Sequence, residues 1–276
     1  PPGALTVGAD ACAQGAHKTL TSLTQSSWLH VQGSRIDRER LQAALAILLS
    51  TSASYLLLAS LDLAREQMVR EGRKVLERTI GLALELQQSL KEISGLLVLG
   101  PERLGQEEAL ALDPTKITVN VRQLGLTGQE VELELRRKHG IQVELADLHN
   151  VLFMVGPGTR EDDIAALIRA FQTLASRHRK RNHPPLRKFI IPPIPAQILS
   201  PRAAFFAPAQ NVPLEEASGC ISTATITCYP PGIPIVCPGE MITAAVIEYI
   251  TVMIKEGFRV QGLITGRRAE LRVVKE

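Results

Sequence analysis

The longest helical pattern in this chain constrains its fold more than any other feature. From Ser52 to about Ile93, apolar residues recur every three or four positions, as on one face of an amphipathic helix. Gly72 lies near the middle and marks a candidate break. Polar residues interrupt the apolar stretch Leu41–Leu63, so we interpret it as buried helix and not as a membrane span. The recurring apolar positions are Leu56, Ala59, Leu63, Val75, Leu76, Ile80 and Leu84.

Shorter elements are predicted on both sides of this helix. Before it, two short strands and a helix from Asp37, as its N-cap, through Leu49 are expected. After it, a strand, a helix with a Thr127/Glu130 capping box, two strands and a second helix form a compact α+β unit. The predicted bounds are Leu5–Val7 and Ser26–Val31 for the first strands, then Lys116–Val121, Thr127–His139, Ile141–Glu144, Asn150–Val155 and Glu161–Ser176.

Consecutive prolines predict a stiff connector ahead of a third unit, because proline excludes helix and favours extended backbone. They are Pro184, Pro185, Pro192, Pro193 and Pro195. We therefore expect three parts: residues 1–100, the end of a large α/β domain with the long helix; residues 101–183, a small α+β domain; and residues 184–276, the connector with a small α+β carboxyl-terminal domain.

Composition narrows the classes of function. Hydrophobic residues make up 45% of the chain and charged residues 21%, as in an ordinary soluble globular protein. Basic residues concentrate in 177–183 and 187–188, which suggests either nucleic-acid binding or a helix end that runs into a solvated linker. We favour the helix end, because the aromatic content of 4% offers little surface for stacking bases. Neither a nucleic-acid partner nor a membrane is expected.

Lys18 is the candidate reactive group of the amino-terminal part. It follows His17 on a short polar loop between the two predicted strands, so we expect it to lie at a strand end. Partial burial there would favour a neutral amine that can bind an aldehyde, and His17 adds a group suited to proton transfer near neutral pH. Local composition alone favours a solvated loop lysine.

A second candidate site is the proline-rich loop from Tyr229 to Glu240. Prolines fix φ in this loop and glycines permit its turns, so the loop holds its side chains at little entropic cost; Glu240 ends it at the start of a predicted helix, Met241–Glu256. Glu240 is therefore either a preorganised anion for a cationic substrate or a first-turn helix acid. Ser52, in a hydroxyl-rich helix entry, is either an anion-binding residue or the helix cap.

The four cysteines show no metal-ligand spacing, and no metal site is expected. Free thiols in a reducing cytoplasm are the simplest account of Cys12, Cys220, Cys228 and Cys237. Cys228 and Cys237 flank the proline-rich loop, so a regulatory disulfide between them is an alternative.

Three separated segments in the same order resemble the Orn/Lys/Arg decarboxylases of the fold-type-I pyridoxal-phosphate (PLP) enzymes. They are GADACAQGAHKTLTSLTQSSWLHVQGSRID, STSASYLLLASLDLAREQM and CYPPGIPIVCPGE. The resemblance extends over nearly all of the chain. It implies the end of a PLP-dependent transferase-like large domain, an α+β small domain and the family's carboxyl-terminal domain.

The resemblance also implies the site and the activity. Lys18 would hold PLP covalently, with His17 beside the cofactor; Gly15, Thr19 and Ser52 would contribute to binding its phosphate, and Glu240 and Tyr229 would face the substrate. The implied reaction is decarboxylation of a basic amino acid, with arginine favoured over lysine or ornithine, to a polyamine or its precursor. The implied enzyme is a cytoplasmic homodimer or higher homo-oligomer.

Two features depart from the family pattern. Gly15 stands where the family usually has a phosphate-binding serine, although Thr19, Ser22 and Thr24 are nearby hydroxyls. The chain starts at Pro1, after the point where the family places half of its cofactor domain, so we expect a fragment of a longer enzyme that is inactive alone. The alternatives are another fold-type-I enzyme, such as an aminotransferase, and an inactive, truncated interaction partner.

Overall fold

The computed structural model describes residues 3–103, 111–178, 191–229, 232–266 and 268–275. The chain forms two compact units, residues 1–183 and residues 184–276. Both mix helices with sheets, so the fold class is mixed α/β. The predicted boundary at residue 100 falls inside the first unit and stays a prediction. Most of the basic run and the first half of the proline connector lie outside the described residues.

The first unit opens with a two-stranded antiparallel ribbon. Strand β1 (Ala11–Gln14) pairs with β2 (Trp28–Val31), and Cys12 lies opposite His30. The strand predicted at Leu5–Val7 is wrong. This segment is a turn, because its backbone bonds close locally: Val7 N–H donates to Gly3 and Ala9 N–H to Ala4.

Two helices follow the ribbon. Helix α1 (Arg38–Leu48) is capped as predicted, since Asp37 accepts from the N–H groups of Glu39 and Arg40 at 3.0 and 3.1 Å. Helix α2 (Tyr55–Lys91) is capped by Ser54 and not by Ser52. It runs through Gly72 without a break, because one glycine costs only about 1 kcal/mol relative to alanine, too little to interrupt a helix packed along its second half.

A four-stranded antiparallel sheet forms the rest of the first unit. Its order is β3 (Leu97–Val98), β4 (Lys116–Asn120), β6 (Asn150–Met154) and β5 (Leu145–Ala146). Helices α3 (Gly128–His139) and α4 (Glu161–His178) were predicted to within two residues. The strand predicted at Ile141–Glu144 is wrong, because Gly140 ends α3 in a left-handed conformation and the chain first bonds to the sheet at Glu144, whose N–H donates to Leu152 before β5 starts at Leu145.

The core of this unit lies between the sheet and the helices. Alternate residues of β4 and β6 are buried, including Ile117, Val119, Val151 and Phe153. The second half of α2 packs into the same cluster through Leu82, Leu86 and Leu90. In its first half, by contrast, Leu56, Leu63 and Val69 are 77%, 65% and 75% exposed.

The second unit contains two three-stranded antiparallel sheets. One has the order β10 (Arg259–Gln261), β8 (Ile226–Tyr229), β9 (Pro234–Val236), and the other β11 (Ile264–Thr265), β12 (Ala269–Val274), β7 (Ala209–Pro213). Helix α5 (Pro201–Phe206) precedes β7, and α6 (Ala244–Lys255) packs through Val246 and Ile250. No described helix is both long and apolar enough to cross a membrane.

Candidate functional site

Lys18 ends a single 3₁₀ turn, Ala16–Lys18, that follows β1 directly. The turn is closed by Lys18 N–H, which donates to the carbonyl of Gly15 at 3.1 Å, and by Leu20 N–H, which donates to Ala16 at 2.8 Å. The Lys18 side chain is exposed. The expected partial burial is therefore wrong for this chain, because the two-stranded ribbon leaves the side chain open to solvent.

His17 is half-buried and held by the backbone. Its Nδ1 lies 3.2 Å from the carbonyl oxygen of Ser26, just before β2. A carbonyl only accepts, so Nδ1 must carry the proton in this hydrogen bond. The neutral ring then offers Nε2 as a proton acceptor. Sequence reasoning missed Ser26, because its contribution is a carbonyl group that any residue would supply.

The other residues expected at the cofactor site differ in their positions. Gly15 precedes the 3₁₀ turn, and a Cβ atom there would lie 3.7 Å from His17 Cε1, so space does not require glycine. The Thr19 side chain is exposed on the same turn. Ser52 is exposed too, and its N–H donates to Ser50 Oγ at 3.1 Å. No described hydrogen bond joins Ser52 to the Lys18 turn.

These side chains fit the two ends of PLP in their chemistry. An exposed primary amine can condense with an aldehyde, and the hydroxyl of Thr19 beside it can donate to a phosphate. The half-buried His17 ring supplies a nitrogen, Nε2, that can accept or pass a proton. Within the described ranges, no cluster of three His, Cys, Asp or Glu residues is arranged to hold a metal ion.

In the second unit, Glu240 does not start a helix. It bridges to Gln197 and lies before Thr243, which caps α6, so the interpretation as a first-turn helix acid is wrong. Its Oε2 accepts from the N–H of Cys237 at 2.7 Å and thereby closes its own loop. Tyr229, at the other end of the loop, is 54% exposed. Pro230 and Pro231 lie outside the described residues.

The described cysteines are all free thiols. Ile226 pairs with Val236, so Cys228 and Cys237 stand three residues apart along the hairpin. That offset is roughly 10 Å of strand and exceeds the span of a disulfide. The suggested pairing is therefore wrong. Burial raises the pKa of Cys228 to about 11. Burial, followed by the charge of Glu240, also raises the pKa of Cys237.

Comparison with solved structures supports the fold alone. The chain superimposes on a lysine decarboxylase of Francisella novicida with a TM-score of 0.82 at 21% identity, covering 95% of this chain and 48% of that one. The constitutive lysine decarboxylase of Escherichia coli gives a TM-score of 0.77 at 21% identity, covering 96% of this chain and 49% of that one.

Sequence comparison identifies the family. Residues 7–163 match the major domain of the Orn/Lys/Arg decarboxylases, and residues 188–265 match their carboxyl-terminal domain. An arginine decarboxylase of Bacillus subtilis is 41% identical over all of this chain and 56% of its own length, and one of Bacillus anthracis is equally similar over the same shares. The chain thus spans about half the length of these relatives. It belongs to the Orn/Lys/Arg decarboxylase family.

Proposed function

We propose that this chain carries the cofactor lysine of an enzyme that decarboxylates a basic amino acid, with Lys18 as that residue. The observation that carries the proposal is the turn that pairs an exposed Lys18 with a half-buried His17, within the segment that matches the major domain. The family is PLP-dependent. Because the matched relatives are about twice as long, the proposed activity is that of the whole protein.

Each residue of the turn has a proposed task. The Lys18 amine would hold the cofactor, and PLP, when bound, would supply a sink for the electron pair left when carbon dioxide departs. His17, with Nδ1 bonded to Ser26, can pass a proton through Nε2. Lys18 is the second candidate proton donor. Thr19, Ser52 and the backbone at Gly15 are proposed phosphate contacts.

Glu240 and Tyr229 are the proposed contacts for the cationic end of the substrate. One Glu240 oxygen accepts from the Cys237 N–H, which fixes the carboxylate in the loop and leaves its negative charge uncancelled. A fixed anion selects a guanidinium or ammonium tail. Arginine is the proposed substrate, because relatives named arginine decarboxylase are 40–42% identical, whereas those named lysine decarboxylase are 23–25% identical.

The proposal includes assembly and location. Exposed apolar side chains on α1 and the first half of α2, such as Ile47, Leu48 and Tyr55, support burial against further polypeptide. We propose a cytoplasmic homodimer or higher homo-oligomer, with the three-part layout and its boundary near residue 100.

Borohydride reduction of the complete protein with PLP tests the role of Lys18. We expect one reduced cofactor on the peptide that contains Lys18, found by mass spectrometry. Lys18→Ala should lose both that label and the visible absorbance of the bound cofactor. Lys74→Ala is the matched control, because Lys74 is an exposed lysine on α2. Label and absorbance that survive Lys18→Ala would refute the assignment.

Product analysis tests the reaction. The complete protein, offered arginine, lysine and ornithine together, should release carbon dioxide and mainly agmatine. Cadaverine or putrescine as the main product would overturn the choice of arginine. Keto acids without carbon dioxide would indicate an aminotransferase. Absence of any turnover with Lys18 labelled would favour an inactive relative.

A further inference from the structure

The turn that holds His17 contains an unusual backbone conformation. Gln25 has φ = 67°, and it is the only non-glycine residue with positive φ in the part of the chain that the structure describes. A side chain rarely adopts this conformation unless its surroundings impose it. Gln25 directly precedes Ser26, so its conformation directs the Ser26 carbonyl toward His17 Nδ1.

Hydrogen bonds tie this turn to the long helix α2. Ser26 Oγ donates to the carbonyl of Leu23 at 2.7 Å and closes the turn. The Leu23 N–H donates to Ser60 Oγ at 3.2 Å, and Ser60 lies on α2. From the same loop, Thr21 Oγ1 donates to Gln67 Oε1 at 2.6 Å, and Gln67 lies about two helical turns beyond Ser60 on α2.

Ser60 is itself held in place. Its hydroxyl donates to the carbonyl of Leu57 at 2.8 Å, the preceding helical turn, which leaves its lone pairs for the N–H of Leu23. A helix of 37 residues is a rigid support. A continuous series of short contacts therefore runs from the α2 backbone through Ser60, Leu23 and Ser26 to the ring of His17.

We propose that the Leu23–Ser26 turn positions His17 and fixes its tautomer. Since the Ser26 carbonyl accepts a hydrogen bond from Nδ1–H, the neutral ring is held with the proton on Nδ1 and with Nε2 unprotonated. Gln25 and Ser26 are positioning residues and act through His17. The use of Nε2 beside Lys18 rests on the proposed function, whereas the tautomer is a property of the protein without cofactor.

Nitrogen NMR of the chain with ¹⁵N-labelled histidine tests the proposal without any cofactor. The chain has six histidines, and loss of one signal set in His17→Gln assigns His17. At a pH where the ring is neutral, we expect Nδ1 to show the protonated shift and Nε2 the unprotonated shift. A His17 ring protonated mainly on Nε2 would overturn the proposal.

Two substitutions at Gln25 isolate the backbone. Gln25→Gly keeps positive φ accessible, whereas Gln25→Val opposes it, and both remove the glutamine side chain. We expect Gln25→Gly to keep the Nδ1–H signature and Gln25→Val to lose it, while the signals of His139 and His149 stay unchanged. An unchanged signature in Gln25→Val would refute control by the turn.

The outcome is separable from that of the proposed function. If Gln25→Val fails to fold, the tautomer of His17 in the wild-type chain still decides the proposal. A fixed Nδ1–H tautomer together with an unlabelled Lys18 in borohydride reduction would support the positioning and refute the decarboxylase assignment. In the complete enzyme, Gln25→Val should lower kcat while Lys18 remains labelled.

Discussion

Gly128→Ala tests the packing of α3 in the first unit, because local helix propensity and tertiary structure predict opposite changes in the free energy of unfolding. Gly128 is the first residue of α3, where alanine would stabilise a free helix by up to about 1 kcal/mol. In the fold, a Cβ atom would lie well inside van der Waals contact of the carbonyl oxygens of Asp147 and Asn150, and 3.0 Å from the Asn150 carbonyl carbon.

The obstructing carbonyls cannot easily move aside. Asp147 N–H donates to the Asn150 carbonyl at 2.9 Å, and Asp147 Oδ1 accepts from the N–H groups of His149 and Asn150 at 2.8 and 2.7 Å. Overpacking against a backbone held in this way costs about 1–3 kcal/mol. For a unit of this size, about 2 kcal/mol lowers the melting temperature by roughly 4–8 °C.

Gly81→Ala is the matched control for this measurement. Gly81 lies in α2, is exposed, and nothing lies within 4 Å of where its Cβ would be placed. Alanine there should raise the free energy of unfolding by up to about 1 kcal/mol. Thermal denaturation followed by circular dichroism compares the two variants. A Gly128→Ala protein as stable as the wild type, or more stable, would refute the packing argument.

Two further predictions concern titrating groups. Burial raises the pKa of Cys228 to about 11, so at pH 8 only about one Cys228 thiol in a thousand is ionised. Iodoacetamide should therefore modify Cys12 far faster than Cys228. Equal rates of modification, measured by peptide mass spectrometry, would contradict this prediction. Burial acts to raise the pKa of Glu134, but Lys138, Arg177 and His178 together lower it. Its ion pairs therefore stabilise the fold at pH values above 4.5, its ordinary pKa, and this stabilisation is lost as the pH falls. Urea unfolding between pH 3 and 6 should show a weaker pH dependence for Glu134→Gln than for Glu85→Gln. Glu85 is the control, because its carboxyl is exposed on α2.

Elements whose signals are local were predictable from the sequence. The Thr127/Glu130 capping box forms as expected, with Glu130 N–H donating to Thr127 Oγ1 at 3.1 Å and Thr127 N–H donating to Glu130 at 2.8 Å. Asp37 caps α1 for the same reason. These interactions join residues two or three positions apart and need no knowledge of the rest of the fold.

Errors arose where distant contacts decide the structure. Ile141–Glu144 has the residues of a strand, yet Ile141 N–H donates back to Leu135 and closes α3, and the pairing with β6 starts later. Leu5–Val7 has strand-forming residues, but none of the strands in the described ranges pairs with it. β-propensity measures fit to a neighbouring strand and to the core, which a short segment of sequence does not contain.

The candidate site shows the same difference between features set by local sequence and features set by distant contacts. Local sequence and the family resemblance singled out His17 and Lys18 as candidates, because the chemistry of a side chain is visible in its identity. The backbone conformation that orients the His17 ring could not be predicted from the sequence, since it depends on a glutamine with φ = 67° and on the carbonyl of Ser26. Glutamine does not favour the left-handed region, in contrast to glycine or asparagine, so no residue type in this segment predicted a turn of this kind. The conformation persists because α2 holds both Leu23 and Thr21, and these are contacts across 37 and 46 positions of sequence. A substitution at Ser60, a helix residue without any role in the chemistry, should therefore disturb the ring of His17 more than a substitution at Thr24, which is closer in sequence.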